Sequence, residues 1–220
     1  MKMARLKYTF QVFQKDHFWL PIAIMTLFVI ITLFIAEANR YNTARAFLGF
    51  VLPLIAGGLS AYGFLADSAL ELQFTTSRSA WRMIFERLGI IFSVIIMTSL
   101  SFQLVVALVG VSLSPLGGLF LRQLVWFVPS LTLLVLGGAA SLMARSSNGG
   151  FALVGGIWIT QLILRGWFAR KPILRNILLF YGVMDPLGSP RFYNYLTLLA
   201  ISILLLWITN NLLSKQERYI

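Results

Sequence analysis

The strongest constraint on this fold is a repeated stretch of apolar, uncharged sequence about as long as a bilayer is thick. Lipid offers backbone groups no hydrogen-bond partner, so each stretch is predicted to be a helix. The fifth is the shortest, because only 149–164 lacks charge. Pro53 and Pro129 fall mid-span and predict kinks. The six predicted transmembrane helices cover 18–36, 46–66, 88–113, 123–144, 149–168 and 194–213.

Composition supports the same class. Of the 220 residues, 59% are hydrophobic and 11% are charged, whereas soluble domains carry about 25% charged residues. The sequence therefore predicts an all-α membrane protein whose residues 1–220 form a single transmembrane domain. The run before Ala38 is too long for the apolar core of a signal peptide, so we expect it to be retained as the first span.

The distribution of Lys and Arg predicts the orientation. With the N-terminus inside, ten cations lie on the inner side and eight on the outer side, and five of those eight fall within 165–191. Both termini are therefore predicted to be cytoplasmic in a multi-pass protein of the cell (plasma) membrane, and 165–191 is an exception to the rule.

The net charge of +11 is expected to face anionic lipid headgroups. No segment outside the spans is long enough to build a basic face for nucleic acid, so nucleic acid is not an expected partner. The chain contains no Cys, which excludes disulfides, thiolate metal sites and Cys nucleophiles.

The basic loop between spans five and six has a helical pattern of its own. Pro172 is suited to the first turn of a helix, and Arg175 and Asn176 fall opposite the apolar positions. We expect an amphipathic external helix lying in the membrane interface, acting either as an anchor or as a gate or substrate contact. Its predicted apolar stripe comprises Ile173, Leu174, Ile177, Leu178 and Tyr181.

A charged, helix-patterned segment, 67–87, separates spans two and three, where a bundle needs only a short turn. Arg78, Arg82 and Glu86 recur every four residues and share one helical face. The opposite face is apolar, which predicts a surface helix with a soluble partner, or a helix that merely lies on lipid. The residues predicted for the apolar face are Trp81, Ile84, Phe85 and Leu88.

The weakly polar residues within the spans have two possible roles. They can be hydrogen-bonding contacts between helices, or they can line a translocation path. The candidate lining residues are Thr98, Ser101, Gln103, Thr160 and Gln161. Small residues spaced four apart allow close helix packing, within one subunit or between two; these pairs are Ala56/Ser60, Gly57/Ala61 and Ala152/Gly156.

The sequence offers few parts for catalysis. The single His, His17, precedes span one and is expected at the membrane surface. The chain has no HExxH, Ser-His constellation or GxxxxGK[ST] phosphate loop. We therefore predict no enzyme activity, no catalytic or metal-binding residues and no cofactor in this chain. The uncharged stretches also lack the ionisable residues that an ion-driven transporter uses.

The architecture and segment 70–88 resemble the type-2 ATP-binding cassette (ABC) exporter permeases. That family places a charged helix after span two and paired external helices before span six. Its local pattern runs from Leu-Glu through an apolar run, a Ser/Thr-Thr-Pro step and basic residues to a cation entering span three. Ser77 replaces the Pro, so a cap at Thr76 or Ser77 would have to form the bend. The matching residues are Leu70, Glu71, Leu72, Thr75, Thr76, Trp81, Arg82 and Arg87.

This resemblance implies a permease subunit whose coupling helix docks into a cytoplasmic ABC ATPase. ATP and Mg would be held by that partner, and a second copy or a related permease would complete the path. The cargo and the choice between homodimer and heterodimer stay open, and the alternative is a non-transport six-helix scaffold or assembly subunit of a larger membrane complex. The implied ATPase-coupling residues are Glu71, Thr75, Thr76, Ser77, Arg78, Trp81, Arg82, Glu86 and Arg87.

Overall fold

The computed structural model describes residues 16–65 and 80–214, and within these ranges it contains helices and no strands. The helix α2 includes a five-residue π-helical stretch, Phe47–Val51, and a 3-10 turn, Ser114–Leu116, follows α3. The helices are α1 Asp16–Phe34, α2 Glu37–Leu65, α3 Ala80–Leu108, α4 Leu119–Ala144, α5 Ser147–Ile163, α6 Arg165–Arg170, α7 Pro172–Asn176, α8 Tyr181–Met184 and α9 Arg191–Leu213.

Four helices, α2, α3, α4 and α9, are long and apolar enough to cross a membrane. The apolar part of α1, Phe18–Phe34, is shorter, and α5 has 17 residues. The all-helical prediction is confirmed for the described residues, as are four candidate spans, whereas a six-span topology stays a prediction.

Two helices begin eight or nine residues earlier than the apolar stretches predicted. The helix α2 begins at Glu37 rather than residue 46, and α3 begins at Ala80 rather than residue 88. Apolar content predicts which residues lipid can cover. A helix can extend beyond those residues into the polar layer, because its backbone hydrogen bonds do not depend on lipid. The helix α3 also ends at Leu108 rather than residue 113, followed by Gly110 at a φ of 82°, a left-handed conformation that suits glycine.

The core is built around α2, which packs most extensively on α4. A Cβ on Gly137 would collide with the carbonyl oxygen of Gly57 and lie 3.1 Å from the backbone nitrogen of Ala61. The pair Gly57/Ala61 therefore packs within the subunit. Ala152 and Gly156 on α5 are exposed instead, and a Cβ on Gly156 would meet no atom within 4 Å.

Pro53 lies just after the π-helical stretch. Because proline has no N–H, it removes one helical hydrogen bond from this irregular part of α2. Segment 178–183 packs against this wide turn. The side chain of Val183 fills the space beside Gly49, and the rings of Phe50 and Phe180 lie 4.8 Å apart. Trp158 Nε1 donates to the Phe50 carbonyl at 2.9 Å, so the irregular part of α2 is enclosed by protein.

The loop between α5 and α9 does not form the single amphipathic helix predicted from its apolar stripe. Pro172 does begin a helix, but that helix ends at Asn176, and the chain turns before α8. The stripe is divided accordingly: Ile173 is 82% exposed, whereas Leu178 and Tyr181 are buried. The local pattern missed this break because long-range hydrogen bonds to the backbone, described below, hold the turn.

The connections alternate between the two ends of the bundle. Tyr62 donates to Asn148 at 2.8 Å at one end, and Gln103 and Gln123 exchange amide hydrogen bonds near the other. We call the first the proximal end, with Leu65, Ala80, Ala144 and Ser147, and the second the distal end, with Phe34, Leu108, Leu119 and residues 164–190.

Candidate functional site

The predicted coupling segment is only partly within the described residues. Residues 66–79 lie outside them, which leaves Glu71, Thr75, Thr76, Ser77 and Arg78 without a described position. The remaining four candidates, Trp81, Arg82, Glu86 and Arg87, lie in the first two turns of α3. This part of the predicted surface helix is therefore continuous with the third apolar stretch.

The outer face of these turns is open. Arg82 Nε donates to Glu86 Oε1 at 2.8 Å, and both side chains are about half exposed. The rings of Trp81 and Phe85 stack with centroids 5.8 Å apart and are also exposed. The predicted apolar face is thus divided, because Ile84 and Leu88 are buried in the core while Trp81 and Phe85 are not.

Arg87 faces inward and is 7% exposed. Its Nη1 donates to the carbonyl oxygens of Gly63 at 2.6 Å and Phe64 at 3.1 Å, and its guanidinium lies 6.0 Å from the Phe64 ring centroid. The last carbonyls of a helix have no partner within the helix, and its C-terminus is electronegative. Arg87 therefore bonds to the last described turn of α2 and joins it to the start of α3.

Two of the five candidate lining residues face the interior of the bundle. Thr98 donates to the Val94 carbonyl at 2.8 Å, within its own helix. Gln103 donates to Ser99 and exchanges hydrogen bonds with Gln123, each at 3.1 Å. Trp126 Nε1 also donates to Gln123 Oε1, at 2.7 Å. Gln103 and Gln123 therefore bond to each other between α3 and α4, which fits the role of interhelical contact, whereas Thr98 bonds within α3.

Gln161, a third candidate, supports the turn that breaks the external loop. Its amide accepts from the backbone nitrogen of Leu179 at 2.9 Å and donates to the Ile177 carbonyl at 3.4 Å. Asn194, which sequence reasoning missed, is fully buried and donates to the carbonyls of Arg175, Asn176 and Leu178 at 2.9–3.0 Å. In the sequence, the feature that could have indicated this role is an Asn at the start of the sixth apolar stretch.

Ser101 and Thr160 are the two lining candidates on exposed faces. Ser101 belongs to an exposed stripe along α3 with spacings of three or four residues. A Cβ on Gly89, in the same stripe, would meet nothing within 4 Å. The stripe runs from the proximal to the distal end and comprises Phe85, Gly89, Ser93, Met97, Ser101, Leu104 and Leu108.

Tyr181 connects the external loop to its charges. Its hydroxyl donates to Asp185 Oδ2 at 3.0 Å. Burial raises the pKa of Tyr181 above its usual value, the Asp185 carboxylate raises it further, and the Arg175 guanidinium opposes both. Arg175, Tyr181 and Asp185 therefore interact within one small region of the distal end.

Comparison with models of protein families, with curated proteins and with solved structures returns no match for this chain.

Proposed function

We propose that this chain is the membrane-spanning permease subunit of an ABC-type exporter in the cell membrane. It forms the translocation path with a second copy or a related permease, and separate cytoplasmic ATPase subunits bind ATP and Mg. The proximal end is the cytoplasmic end. ATP-driven movement of segment 66–79 shifts the subunits between inward-facing and outward-facing states.

The observation that carries the proposal is the bond between Arg87 and the end of α2. Coupling requires that a displacement of segment 66–79 be transmitted to the helices on either side of it. Segment 66–79 enters from α2 and leaves into α3, and Arg87 fastens these two helices to each other next to it. A force on the segment is therefore delivered to both helices together.

The surface beside that junction suits a soluble partner. Arg82 and Glu86 offer charges, and Trp81 and Phe85 offer aromatic area, which is the kind of composition found at protein interfaces. The exposed α3 stripe supports the second part of the proposal. Its small and weakly polar positions, Gly89, Ser93 and Ser101, suit contact with another permease or a mildly polar path.

The test is purification of the tagged chain from native membranes, with mass spectrometry and ATP hydrolysis as readouts. The wild-type chain should bring down a Walker-motif ATPase. Charge reversal in Arg78→Glu plus Arg82→Glu should lower both the associated ATPase and transport at least about fivefold, because it places like charges against the partner. The matched control, Arg145→Glu, reverses an exposed cation at the same end and should leave both unchanged.

Unaltered association and transport in the double variant would contradict the proposal. Recovery of a stable membrane complex that lacks any ATPase would do the same, and would favour the scaffold alternative.

A further inference from the structure

Positive charge accumulates at the distal end of the bundle, away from the proposed coupling surface. Residues 164–191 hold five cations and one carboxylate, and Arg122 lies at the same end in the first turn of α4. The carboxylate, Asp185, already accepts a hydrogen bond from Tyr181. In the ranges the structure describes, salt bridges join only Arg40 to Glu37 and Arg82 to Glu86, so none neutralises these distal cations.

Three of the distal arginines are partly buried, and each has one guanidinium nitrogen without an acceptor. Arg122 Nε, Arg175 Nε and Arg191 Nη1 are each shielded from solvent and have no hydrogen-bond partner among the described residues. Buried guanidinium groups are normally paired, because desolvating an unpaired charge is costly. Within the described chain no salt bridge joins these three arginines to a carboxylate, and Arg175 has only the Tyr181 hydroxyl beside it.

The segments that carry the three arginines meet at the first turn of α9. Arg191 Nη1 lies 3.9 Å from the Cβ position of Gly117, in the turn that leads into α4, and the backbone nitrogen of Arg122 donates to the Gly118 carbonyl at 2.9 Å. One turn beyond Arg191, Asn194 bonds to the Arg175 carbonyl at 2.9 Å. The first turn of α9 therefore contacts both the start of α4 and the basic external loop.

The local electrostatics also disfavour cations here. Arg191 is the first residue of α9, and Arg122 is in the first turn of α4. The N-terminus of a helix carries partial positive charge, so a cation there is unfavourable and an anion is favoured. The helix N-termini and the arginines together favour an anion with several acceptor oxygens. Phosphate is such an anion, and guanidinium groups bind it through paired hydrogen bonds.

Apolar side chains beside the arginines select the kind of anion. Phe192 is 62% exposed directly after Arg191, and Leu119 and Phe120 are about three-quarters exposed just before Arg122. A soluble anion would gain nothing from these surfaces, whereas acyl chains would cover them.

We infer that Arg122, Arg175 and Arg191 form a binding site for a phosphate group, carried by an anionic lipid whose acyl chains lie against Leu119, Phe120 and Phe192. This site does not rest on the proposed transport function, because it is defined by the distal end alone.

The test uses the purified full-length chain in neutral detergent, titrated with phosphatidylglycerol, phosphatidylcholine or inorganic phosphate. Thermal unfolding and native mass spectrometry report binding. Phosphatidylglycerol should raise the melting temperature and phosphatidylcholine should not. In Arg122→Gln plus Arg191→Gln, apparent affinity for phosphatidylglycerol should fall about tenfold or more, since charge-assisted hydrogen bonds are lost.

The matched control, Arg170→Gln plus Lys171→Gln, removes two exposed cations from the same loop and should change affinity by less than about twofold. Folding is checked without lipid: the Arg122/Arg191 variant should melt at or above the wild-type temperature, because it removes two partly buried cations that no salt bridge joins within the described chain. Inorganic phosphate at millimolar concentration is the second arm. If it also stabilises the wild type and not this variant, the phosphate site is supported, and the site binds free phosphate as well as lipid phosphate. Equal losses in the two double variants, or equal binding of both lipids, would overturn the inference.

Discussion

At the scale of single residues, Arg87 shows how a buried cation can be satisfied without a carboxylate. Its partners within the described chain include two carbonyl oxygens at the end of α2 and the face of Phe64. Its position in a basic sequence segment suggested a surface residue. Only the return of α3 against α2 reveals its inward direction, so one-dimensional spacing was not enough to predict it.

Replacement of Arg87 by Met should lower the free energy of unfolding by about 2 kcal/mol, because the carbonyls of Gly63 and Phe64 lose a charged donor. Arg82→Met is the control, since its exposed pair with Glu86 should contribute at most about 0.5 kcal/mol. Unfolding in detergent, followed by circular dichroism against added dodecyl sulfate, measures both. Equal effects of the two substitutions would mean that Arg87 does not fasten α2 to α3.

At the scale of helices, α2 and α4 approach closely because glycines face each other. A Cβ on Gly137 would overlap the Gly57 carbonyl, and a Cβ on Gly138 would lie 2.6 Å from the Phe64 ring. Backbones in such contact gain dispersion energy along their whole length, which is the main attraction between helices in lipid.

Gly137→Ala should therefore destabilise the protein by about 2 kcal/mol or more, because α2 and α4 must move apart. Gly155→Ala is the matched control on α5, where the added methyl group meets no atom within 4 Å. It should be neutral or gain up to about 1 kcal/mol from helix propensity. The same unfolding measurement distinguishes them, and a harmless Gly137→Ala would show that the two helices are not in tight contact.

Sequence reasoning predicted the helices better than their ends. Apolar stretches identify what lipid can cover, and α4 and α9 begin within a few residues of the predicted bounds. The first turns of α2 carry Glu37 and Arg40, which hydropathy excludes but helix geometry accepts. The break after Asn176 was beyond local pattern, because Gln161 and Asn194, from two other helices, replace the hydrogen bonds that a longer helix would make.

At the scale of the whole molecule, topology depends on α5, the shortest of the helices that correspond to predicted spans. If this 17-residue helix crosses the membrane, Arg145 before it and Ser189 after it lie on opposite sides, and Ser214 after α9 lies on the same side as Arg145. Both α5 and α9 connect the same two ends of the bundle, and we expect each to cross.

The chain has no native cysteine, so single substitutions report sidedness directly. In intact cells a membrane-impermeant maleimide should label Ser189→Cys, whereas Arg145→Cys and Ser214→Cys should react only after permeabilisation. All three sites are exposed. Labelling of both Arg145→Cys and Ser189→Cys from one side would show that α5 does not cross and would remove the six-span topology.

The central position of α2 also sets an order of assembly. It is the most deeply buried of the four candidate spans, with 67% of its apolar window covered, yet the helices that cover it, α4 and α5, are synthesised more than fifty residues later. While the nascent chain is still short, the glycine face of α2 has only lipid or the insertion machinery beside it. We therefore expect α2 to reach its final packing only after α5 has emerged from the ribosome. A substitution on the glycine face of α2 should then first reduce the amount of correctly assembled protein in the membrane.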